Sequence, residues 1–534
     1  MENKKIPTYL PIVLAVVLVG GMLLGMLISR SQSGGIFHSN RGNNKIDDLI
    51  NYVDENYVDT VNKNKLYQQA IEGMLQSLDP HSSYISAEEF NEVNDPLVGG
   101  FDGIGVEFRL EKDTVVIVTP VSGGPSERVG LKGGDRIVKV DGQLIAGKKI
   151  TNPKVMKLLK GPKGTKVNIS VYRRGTKGLT DFTIIRDKIP INSIDIAYMV
   201  EPGTGYIKVN KFAENTGEEF NNALLKLLHS GMKRLVIDLR GNPGGVMQAA
   251  IQMIDQFLPK GKLIVYTKGT HQAKESFYAT QDGIFEKQPL VVLIDESSAS
   301  ASEIMAGAIQ DNDRGLIIGR RSFGKGLVQQ QMSFPDGAAV RLTVARYYTP
   351  TGRCIQKSYK DGTEAYYNEF YKRVLDGELT NKDSIKYVDS LKFKTPGGKT
   401  VYGGGGITPD IFIPVETGEK YRYYNALVNK GVIFEYAFEL TDRLRKSLMT
   451  NKNFENFKRS FKVTPEMFSE LTKRGEKAGI KYDAKNAKLM EEKINLLLKA
   501  YVARNIYGDN GFFPMLLEDD VAFHRALKEI TKMK

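Results

Sequence analysis

The sequence predicts a multidomain protein of the α/β and α+β classes, and three patterns support this prediction. From Ile191 onward, apolar runs of strand length alternate with helix-like segments, which is typical of a largely parallel sheet covered by helices. A glycine-rich region before it, residues 99–186, has the short strands and turns of a small β-domain. A long apolar run precedes both. With 534 residues, the chain has room for three or four such domains.

The apolar run extends from Leu10 to Ile28 and contains no charged residue. As a helix it would span about 28 Å, which is enough to cross the hydrocarbon core of a bilayer. Lys4 and Lys5 precede the run and Arg30 follows it, so the charges mildly favour a cytoplasmic N-terminus. Because no Ala-x-Ala cleavage site follows, we expect an uncleaved signal anchor.

Composition excludes several other classes of function. The formal net charge is +13, but the basic residues are scattered, and neither a zinc-finger spacing nor an RNA-binding aromatic signature accompanies them. We therefore expect no nucleic-acid partner. The single cysteine, Cys354, excludes an intramolecular disulfide and disfavours a cysteine metal cluster.

The strongest chemical signal lies in residues 289–329, called here the Ser–Lys block. The apolar run Leu290 to Ile294 predicts a buried strand, and Ser300 follows it at the start of a helix-like segment. A second apolar run, Leu316 to Ile318, ends in a glycine-rich loop that carries Lys325. Because both residues follow strands of one sheet, we expect them to meet at the same sheet edge.

These two residue types can form a nucleophilic site. A serine hydroxyl is a poor nucleophile until a neighbouring base takes its proton. Lysine can act as that base when burial or nearby positive charge lowers its pKa. The oxyanion that develops needs preorganised N–H donors, and the start of a helix offers donors together with a favourable dipole. The block therefore predicts Ser300 as a nucleophile and Lys325 as its base.

The block also resembles the C-terminal processing (tail-specific) serine peptidases, whose signature pairs S-A-S-A-S-E with F-G-K-G-x-V-Q. These motifs occur here as Ser298–Glu303 and Phe323–Gln329. The resemblance implies that Ser300 is the nucleophile, that Lys325 is its base and that Gln329 orients the lysine. It further implies an α/β peptidase core of the ClpP/crotonase-like fold that uses no metal and no cofactor.

Other interpretations of the same residues stay open. Ser322-Phe-Gly-Lys325 has the form S-x-x-K, as in β-lactamases, but that motif opens a helix, which the flanking glycines disfavour. Gly319 to Lys325 is almost a phosphate-binding P-loop, but Gly326 stands where the magnesium-binding hydroxyl belongs. A Ser/Ala-rich loop beside an exposed lysine, without any chemistry, is the remaining possibility.

The glycine-rich region resembles a PDZ domain. Its segment Gly103-Ile104-Gly105-Val106 is similar to the loop whose backbone N–H groups hold the terminal carboxylate of a peptide ligand. Such a loop and the adjoining sheet edge can bind an extended peptide by strand addition. We therefore expect recognition of free protein C-termini, with an ordinary small β-barrel as the alternative because glycines at these positions also form plain turns.

A glycine turn follows the predicted buried strand Leu235 to Leu239. The turn Arg240-Gly-Asn-Pro-Gly-Gly245 resembles the D-L-R-x-N-x-G-G element of the same peptidases. In that family, a glycine N–H joins the N–H that follows the nucleophile to form an oxyanion hole. The resemblance implies donors at Ala301 and at either Gly244 or Gly245, between which the sequence does not decide. A tight turn without a catalytic role is the alternative.

The remaining segments are predicted to be helical or peripheral. Residues 45–90 resemble the family's N-terminal helical segment, which often serves in self-association. Residues 360–398 are polar and charged, and we expect an insertion there. The resemblance fades after about Pro414, where a Lys-, Glu- and Leu-rich segment predicts helices of unknown role. The predicted domains are 1–35 (membrane anchor and linker), 36–95 (N-terminal helical segment), 96–188 (β-barrel-like PDZ domain), 189–415 (Ser–Lys peptidase core) and 416–534 (C-terminal helical extension).

Together these observations predict a membrane-anchored serine endopeptidase that cleaves protein or peptide substrates recognised by their free C-termini. Residues 10–28 would hold it in the inner (cytoplasmic) membrane as a single-pass protein, with the catalytic part on the extracytoplasmic, periplasmic side. We also expect a homo-oligomer, a dimer or larger. The alternative from another class is a non-catalytic membrane-anchored PDZ scaffold that binds peptide tails, and a nucleotide-binding protein comes third.

Overall fold

A computed structural model describes Gly21 and residues 45–111, 113–448, 450 and 453–533. Except for Gly21, the apolar run predicted to cross a membrane lies outside these residues. Within them, no helix has the length and apolar character that a membrane span requires. The chain divides into two compact units, Met1–Met74 and Leu75–Lys534.

The first unit is helical, as its sequence predicts. It contains α1 (Lys45–Asn56) and most of α2 (Lys63–Gln76). Along the apolar face of α1, Ile50 is buried, whereas Ile46 and Leu49 are exposed. The described part of this unit therefore presents apolar side chains at its surface.

The second unit begins with β1 (Ser83–Ile85) and α3 (Phe90–Val98) and continues into a β-domain, residues 100–190. The elements of the β-domain are, in chain order, β2 (Gly100–Gly103), β3 (Val106–Glu111), β4 (Thr114–Pro120), α4 (Pro125–Arg128), β5 (Arg136–Val140), β6 (Gln143–Leu144), α5 (Asn152–Leu159), β7 (Lys166–Tyr172), β8 (Leu179–Ile185) and β9 (Asp187–Pro190). Its antiparallel sheet has the order β3-β4-β5-β7-β8 with β6 on β5, so β3 is an edge strand of the described sheet. Strands β2 and β9 pair with each other and carry the chain into and out of the domain.

An α/β core follows the β-domain. Its elements are β10 (Ile194–Glu201), β11 (Thr204–Val209), α6 (Thr216–His229), β12 (Arg234–Asp238), α7 (Met247–Ile254), β13 (Leu263–Lys268), β14 (Glu275–Tyr278), β15 (Leu290–Ile294), α8 (Ala301–Asp311), β16 (Leu316–Gly319), β17 (Leu327–Ser333), β18 (Ala339–Tyr348), α9 (Thr363–Leu375), β19 (Lys392–Lys394), β20 (Thr400–Tyr402) and β21 (Ile411–Phe412). The central sheet has the order β10-β11-β12-β15-β16-β21 and is parallel from β11 to β21.

A second, antiparallel sheet lies in the same core, with the order β1-β18-β13-β14 and β17 paired to β18. Strand β1 adds a strand to residues 45–90, a segment predicted to be helical. Its backbone groups pair with β18, a partner far along the chain that local periodicity does not reveal.

Side chains of the central strands alternate between two apolar layers, as the two-residue period of a strand requires. Ile237 and Val292 face a layer that α6, α7 and α8 cover. Val236 and Val291 face the opposite layer, which contains Phe523. The parallel sheet is therefore buried on both faces, as its uninterrupted apolar strands predict.

Eight helices close the described chain after β21. They are α10 (Arg422–Asn429), α11 (Val432–Leu448), α12 (Phe454–Ser460), α13 (Pro465–Lys477), α14 (Ala484–Leu489), α15 (Glu491–Tyr507), α16 (Asp509–Leu516) and α17 (Val521–Ile530). Helices α10 to α16, the C-terminal bundle, share a core of their own. Helix α17 instead packs on the second face of the central sheet. The predicted C-terminal extension thus has two parts, and its last helix completes the α/β core.

Candidate active site

Ser300 lies in the turn between β15 and α8, directly before the first residue of the helix. Its backbone has φ 54° and ψ −113°, a conformation that residues with a Cβ rarely adopt. Such strain costs on the order of 1–3 kcal/mol and persists only where the surrounding structure enforces it. Ser300 therefore has the constrained backbone that is frequent at functional sites.

The carboxylate of Glu303 supplies part of that constraint and joins both halves of the Ser–Lys block. Glu303 is fully buried in α8. It accepts backbone N–H hydrogen bonds of 2.7–2.8 Å from Ser300, Gly324 and Lys325, and a further one from the hydroxyl of Ser322. Burial raises the pKa of Glu303 to about 7, against the opposite effect of these hydrogen bonds. A single side chain thus holds the backbones of Ser300 and Lys325 together, a role that the sequence motif did not reveal.

Lys325 lies half-buried in the loop between β16 and β17. Burial, and after it the positive charge of Arg341, lower the pKa of Lys325 below its ordinary value. Its Nζ donates a 3.2 Å hydrogen bond to Oε1 of Gln329, so the predicted glutamine does contact the lysine. Nζ forms no hydrogen bond with Oγ of Ser300 in this structure. The two predicted residues are therefore neighbours through their backbones, while Nζ of Lys325 and Oγ of Ser300 are not hydrogen-bonded to each other.

Tyr347 contacts the same two residues from the second sheet. Its side chain is buried near the end of β18, and its hydroxyl lies 3.1 Å from the main-chain oxygen of Ser300. The hydroxyl also donates to the main-chain oxygen of Lys325. Burial raises the pKa of Tyr347 well above its usual value, so the hydroxyl keeps its proton. Glu303 and Tyr347 together hold the N–H and the carbonyl groups of both residues.

The glycine turn after β12 lies directly against Ser300. The N–H of Gly244 donates to Oδ1 of Asn242 at 2.8 Å, and a Cβ on Gly244 would lie 2.5 Å from the carbonyl oxygen of Ala299. The carbonyl oxygen of Asn242 accepts the N–H of Ala299 at 3.0 Å, which ties the turn to the Ser–Lys block. By contrast, the N–H groups of Gly245 and Ala301 donate to no residue in the described part of the chain. Of the two glycines, only Gly245 thus has an N–H available for a ligand.

Asp238 and Arg240 flank the start of this turn and form an ion pair with a distance of 2.6 Å between Arg240 Nη2 and Asp238 Oδ2. The hydroxyl of Tyr206 donates a further hydrogen bond to Asp238 at 2.8 Å. Burial would raise the pKa of Asp238, but Arg240 and Lys208 hold it well below its usual value. Asp238 therefore stays ionised and serves as a structural partner of Arg240.

The loop before β1 contacts Gln329, the residue that binds Nζ of Lys325. The main-chain oxygen of His81 lies 3.4 Å from Nε2 of Gln329, and Nε2 of His81 lies 2.8 Å from the hydroxyl of Tyr366 in α9. Burial, together with the charge of Lys325, lowers the pKa of His81 to about 4, so its imidazole is neutral near pH 7. His81 therefore packs against Tyr366 as a neutral ring, while its main-chain oxygen contacts Gln329.

Residues 360–398, predicted as an insertion, contribute to the support of the site. Within this segment, Arg373 of α9 is buried and donates to the main-chain oxygen of Ser322 at 3.1 Å. It also pairs with Glu378 at 2.9 Å. Polar residues of α9 thus contact a buried polar network, which composition alone cannot distinguish from a solvated surface.

Ser322 itself does not have the surroundings of an S-x-x-K nucleophile. Residues 321–326 form an irregular loop, whereas that motif opens a helix. The hydroxyl of Ser322 donates to Glu303 and accepts the N–H of Ile407 at 2.6 Å. Ser322 is therefore fully engaged in holding the loop that carries Lys325.

The predicted carboxylate loop, Gly103-Ile104-Gly105-Val106, connects β2 to the edge strand β3. Ser126 of α4 fixes the loop by donating a 2.6 Å hydrogen bond from its hydroxyl to the carbonyl oxygen of Ile104. The N–H groups of Ile104 and Gly105 donate to none of the residues that the structure describes. Free N–H groups at the start of an edge strand are the arrangement that a peptide carboxylate requires.

A strained serine at a helix start, a lysine with a lowered pKa and a turn with free N–H donors can together carry out acyl transfer. Among the described residues, no group of three or more His, Cys, Asp or Glu side chains could hold a metal ion.

Comparison with known proteins assigns four segments. The model of peptidase family S41 matches residues 203–365, and the PDZ domain model matches residues 103–184. The N-terminal domain of the activating protease CtpB matches residues 28–89, and a family of unknown function (DUF8443) matches residues 423–508. Fold, site and these matches define a serine-type endopeptidase.

Three curated relatives narrow the class. The carboxy-terminal-processing protease of Bartonella bacilliformis is 39% identical over 314 residues, which cover 58% of this chain and 71% of the relative. For Bacillus subtilis, the carboxy-terminal processing protease CtpA is 35% identical over 350 residues (65% and 74%), and CtpB is 33% identical over 408 residues (76% and 81%). The chain belongs to the carboxy-terminal processing proteases.

Proposed function

We propose that this protein is a membrane-anchored carboxy-terminal processing endopeptidase whose catalytic dyad is Ser300 and Lys325. The observation that carries the proposal is the carboxylate of Glu303, which accepts the backbone N–H groups of both residues. One buried side chain thus holds the backbones of both residues, which supports their acting together in catalysis.

In the proposed reaction, the neutral amine of Lys325 accepts the proton of the Ser300 hydroxyl while Oγ attacks the carbonyl carbon of the scissile peptide bond. The N–H groups of Gly245 and Ala301 stabilise the oxyanion that forms. The C–N bond then breaks, the leaving amine takes the proton from Lys325, and an ester to Ser300 remains. Water then attacks the ester carbonyl and gives a proton to Lys325. The bond to Oγ breaks, the new carboxylic acid leaves, and Lys325 returns the proton to Oγ of Ser300.

Gln329 has a definite place in this scheme. Its Oε1 accepts a hydrogen bond from Nζ of Lys325 in the resting structure. For catalysis, Nζ must also come within hydrogen-bond distance of Oγ of Ser300. Gln329 thus holds the lysine inside the site until bound substrate brings the two reactive atoms together.

The PDZ domain would select the substrate by its end. The free N–H groups of Ile104 and Gly105 would bind the terminal carboxylate, and β3 would pair with the extended tail. A hydrogen bond to a charged group contributes roughly 1.5–3 kcal/mol, so loss of the carboxylate should weaken recognition about 10- to 100-fold.

The proposed location follows from the N-terminal sequence. The uncharged run at residues 10–28 supports a single-pass anchor in the cytoplasmic membrane, with the peptidase on the extracytoplasmic, periplasmic side. Exposed apolar side chains on α1, such as Leu49 and Tyr52, support self-association through the N-terminal helices into a dimer or larger homo-oligomer.

The test uses the full chain in detergent, as wild type, Ser300→Ala and Lys325→Ala. Each protein is incubated with an unstructured polypeptide that has an apolar C-terminus, either free or amidated, and cleavage is followed by mass spectrometry. We expect wild-type cleavage that amidation weakens, and a loss of roughly 10⁴-fold or more in both variants.

Each outcome bears on one part of the proposal. Robust cleavage by Lys325→Ala would refute the dyad, and cleavage insensitive to amidation would refute recognition of the carboxylate. If wild type cleaves nothing but all three proteins bind the free tail tightly, the protein is a scaffold.

A further inference from the structure

The residue before α17 contacts the glycine turn at residues 240–245. Helix α17 itself covers the second face of the central sheet. Asp520 precedes α17 and caps it, because its Oδ1 accepts the N–H of Phe523 at 2.9 Å. The same carboxylate binds Arg240, with Nη1 at 3.0 Å from Oδ1 and 2.8 Å from Oδ2. A residue 280 positions away along the chain thus contacts the first residue of the turn.

Arg240 is held on both sides by carboxylates. Its Nε and Nη2 bind Asp238, the last residue of β12, while Nη1 binds Asp520. The main-chain oxygen of Arg240 accepts a further hydrogen bond from Nζ of Lys208. The direction in which the chain leaves β12 therefore depends on contacts from α17 as well as from the sheet.

Hydrogen bonds of the glycine turn connect Arg240 to the residues beside Ser300. Two positions after Arg240, Asn242 binds the N–H of Gly244 through its side chain and the N–H of Ala299 through its carbonyl oxygen. Gly245 follows, with the N–H that has no acceptor among the described residues. A shift of Arg240 would move this donor relative to Ser300.

We propose that Asp520 is a positioning residue of the active site: its charge holds Arg240 and thereby fixes the glycine turn that presents the N–H of Gly245. This inference rests on the proposed function and assigns part of the C-terminal extension to the support of catalysis. A residue that only capped α17 would need an acceptor oxygen but no charge.

Asp520→Asn separates the two roles. Asparagine caps a helix about as well as aspartate, so the variant keeps the cap of α17 and removes the charge from Arg240. Asp519→Asn is the matched control, because Asp519 is the adjacent, exposed acid and pairs with Lys493 at 2.7 Å instead. Asp520→Ser, which also supplies a good cap, is the second variant if the first folds poorly.

The measurements are kcat, KM and thermal midpoint of the full chain in detergent, with the rate at which a fluorophosphonate labels Ser300. For Asp520→Asn we expect kcat and the labelling rate to fall about tenfold, less than the loss of an oxyanion donor itself. KM and the thermal midpoint should stay near those of wild type, and Asp519→Asn should match wild type throughout.

Two results would overturn the proposal. One is equal kcat in Asp520→Asn and Asp519→Asn. The other is a fall in kcat that merely follows a loss of folded protein, which would leave Asp520 as a helix cap.

Hydrogen exchange of residues 240–246 separates this proposal from the proposed function, because it needs no turnover. If wild type cleaves nothing but these residues exchange faster in Asp520→Asn, the positioning role of Asp520 is supported and the peptidase function is refuted. Unchanged exchange together with unchanged turnover would overturn the positioning and leave the peptidase standing.

Discussion

Glu303 of the Ser–Lys block binds the N–H of Lys325, 22 positions along the chain, whereas Asp442 of the C-terminal bundle binds Arg174, 268 positions away. The first contact joins a fully buried carboxyl group to a backbone N–H group. The second joins two domains at a surface where the side chain of Arg174 is 63% exposed. Contacting residues that are near each other in the sequence form a compact motif that can be recognised there. Contacting residues that are far apart in the sequence form no such motif.

The contact between the bundle and the PDZ domain extends beyond this ion pair. The guanidinium of Arg109 on β3 lies 3.7 Å from the ring centroid of Phe438 on α11. Asp442 also lies 4.0 Å from Arg136 of β5. The bundle thus contacts the PDZ sheet that carries the predicted peptide-binding edge, while the Ser–Lys block is held by its own residues and the second sheet. We therefore expect substitutions in the Ser–Lys block to lower turnover strongly and substitutions in the C-terminal bundle to lower it only slightly.

Outside the proposed dyad, the largest effect should follow Glu303→Gln. An amide has one acceptor oxygen and an NH2 group, so at least one of the buried N–H groups that now bind Glu303 would lose its acceptor. Each buried donor left unpaired costs about 1–3 kcal/mol. We expect kcat to fall at least 100-fold and the urea midpoint to decrease, measured by peptide cleavage and by equilibrium unfolding.

Glu296→Gln is the control for this change. Glu296 lies four residues before Ser300 and pairs with Arg320 at 2.6 Å, so it tests the loss of one ion pair in the same loop. Its turnover should stay within about twofold of wild type, because partly exposed pairs contribute little. Equal losses in both variants would mean that the loop responds to any lost charge and that Glu303 has no special role.

The sequence predicted the parts of the site that depend on local patterns. The run Leu290 to Ile294 coincides with β15, since a strand buried on both faces reads as a continuous apolar stretch. Ser300 and Lys325 were named because their chemistry requires those residue types. The roles of Tyr347 and Asp520 could not be predicted, since each depends on two elements that meet only in the folded chain.

An intermediate effect should appear in the pH dependence of activity. Only the neutral amine of Lys325 accepts a proton, so kcat/KM should rise with pH through the lowered pKa of Lys325. Arg341 lowers that pKa after burial does, so Arg341→Gln should raise it and move the rise to higher pH. A change of roughly 1 kcal/mol in the charge interaction corresponds to about 0.7 pH units.

The profile is measured as kcat/KM against pH for wild type and Arg341→Gln. Arg346→Gln is the control on the same strand, because it removes the same charge from a residue that binds the hydroxyl of Tyr359. A midpoint that moves to lower pH in Arg341→Gln, or moves equally in both variants, would contradict the assignment of Lys325 as the base.

The smallest effect on turnover should follow Phe438→Ala at the bundle. Phe438 is 2% exposed, and the substitution removes both its burial and the ring beneath Arg109. We expect faster hydrogen exchange in β3 and kcat within about twofold of wild type, with Leu489→Ala as the control because Leu489 is an exposed apolar residue elsewhere in the bundle. If Phe438→Ala instead lowered kcat as much as Glu303→Gln, the bundle would be as closely coupled to Ser300 as the buried carboxylate is. Distance along the chain would then be a poor guide to which contacts the chemistry needs.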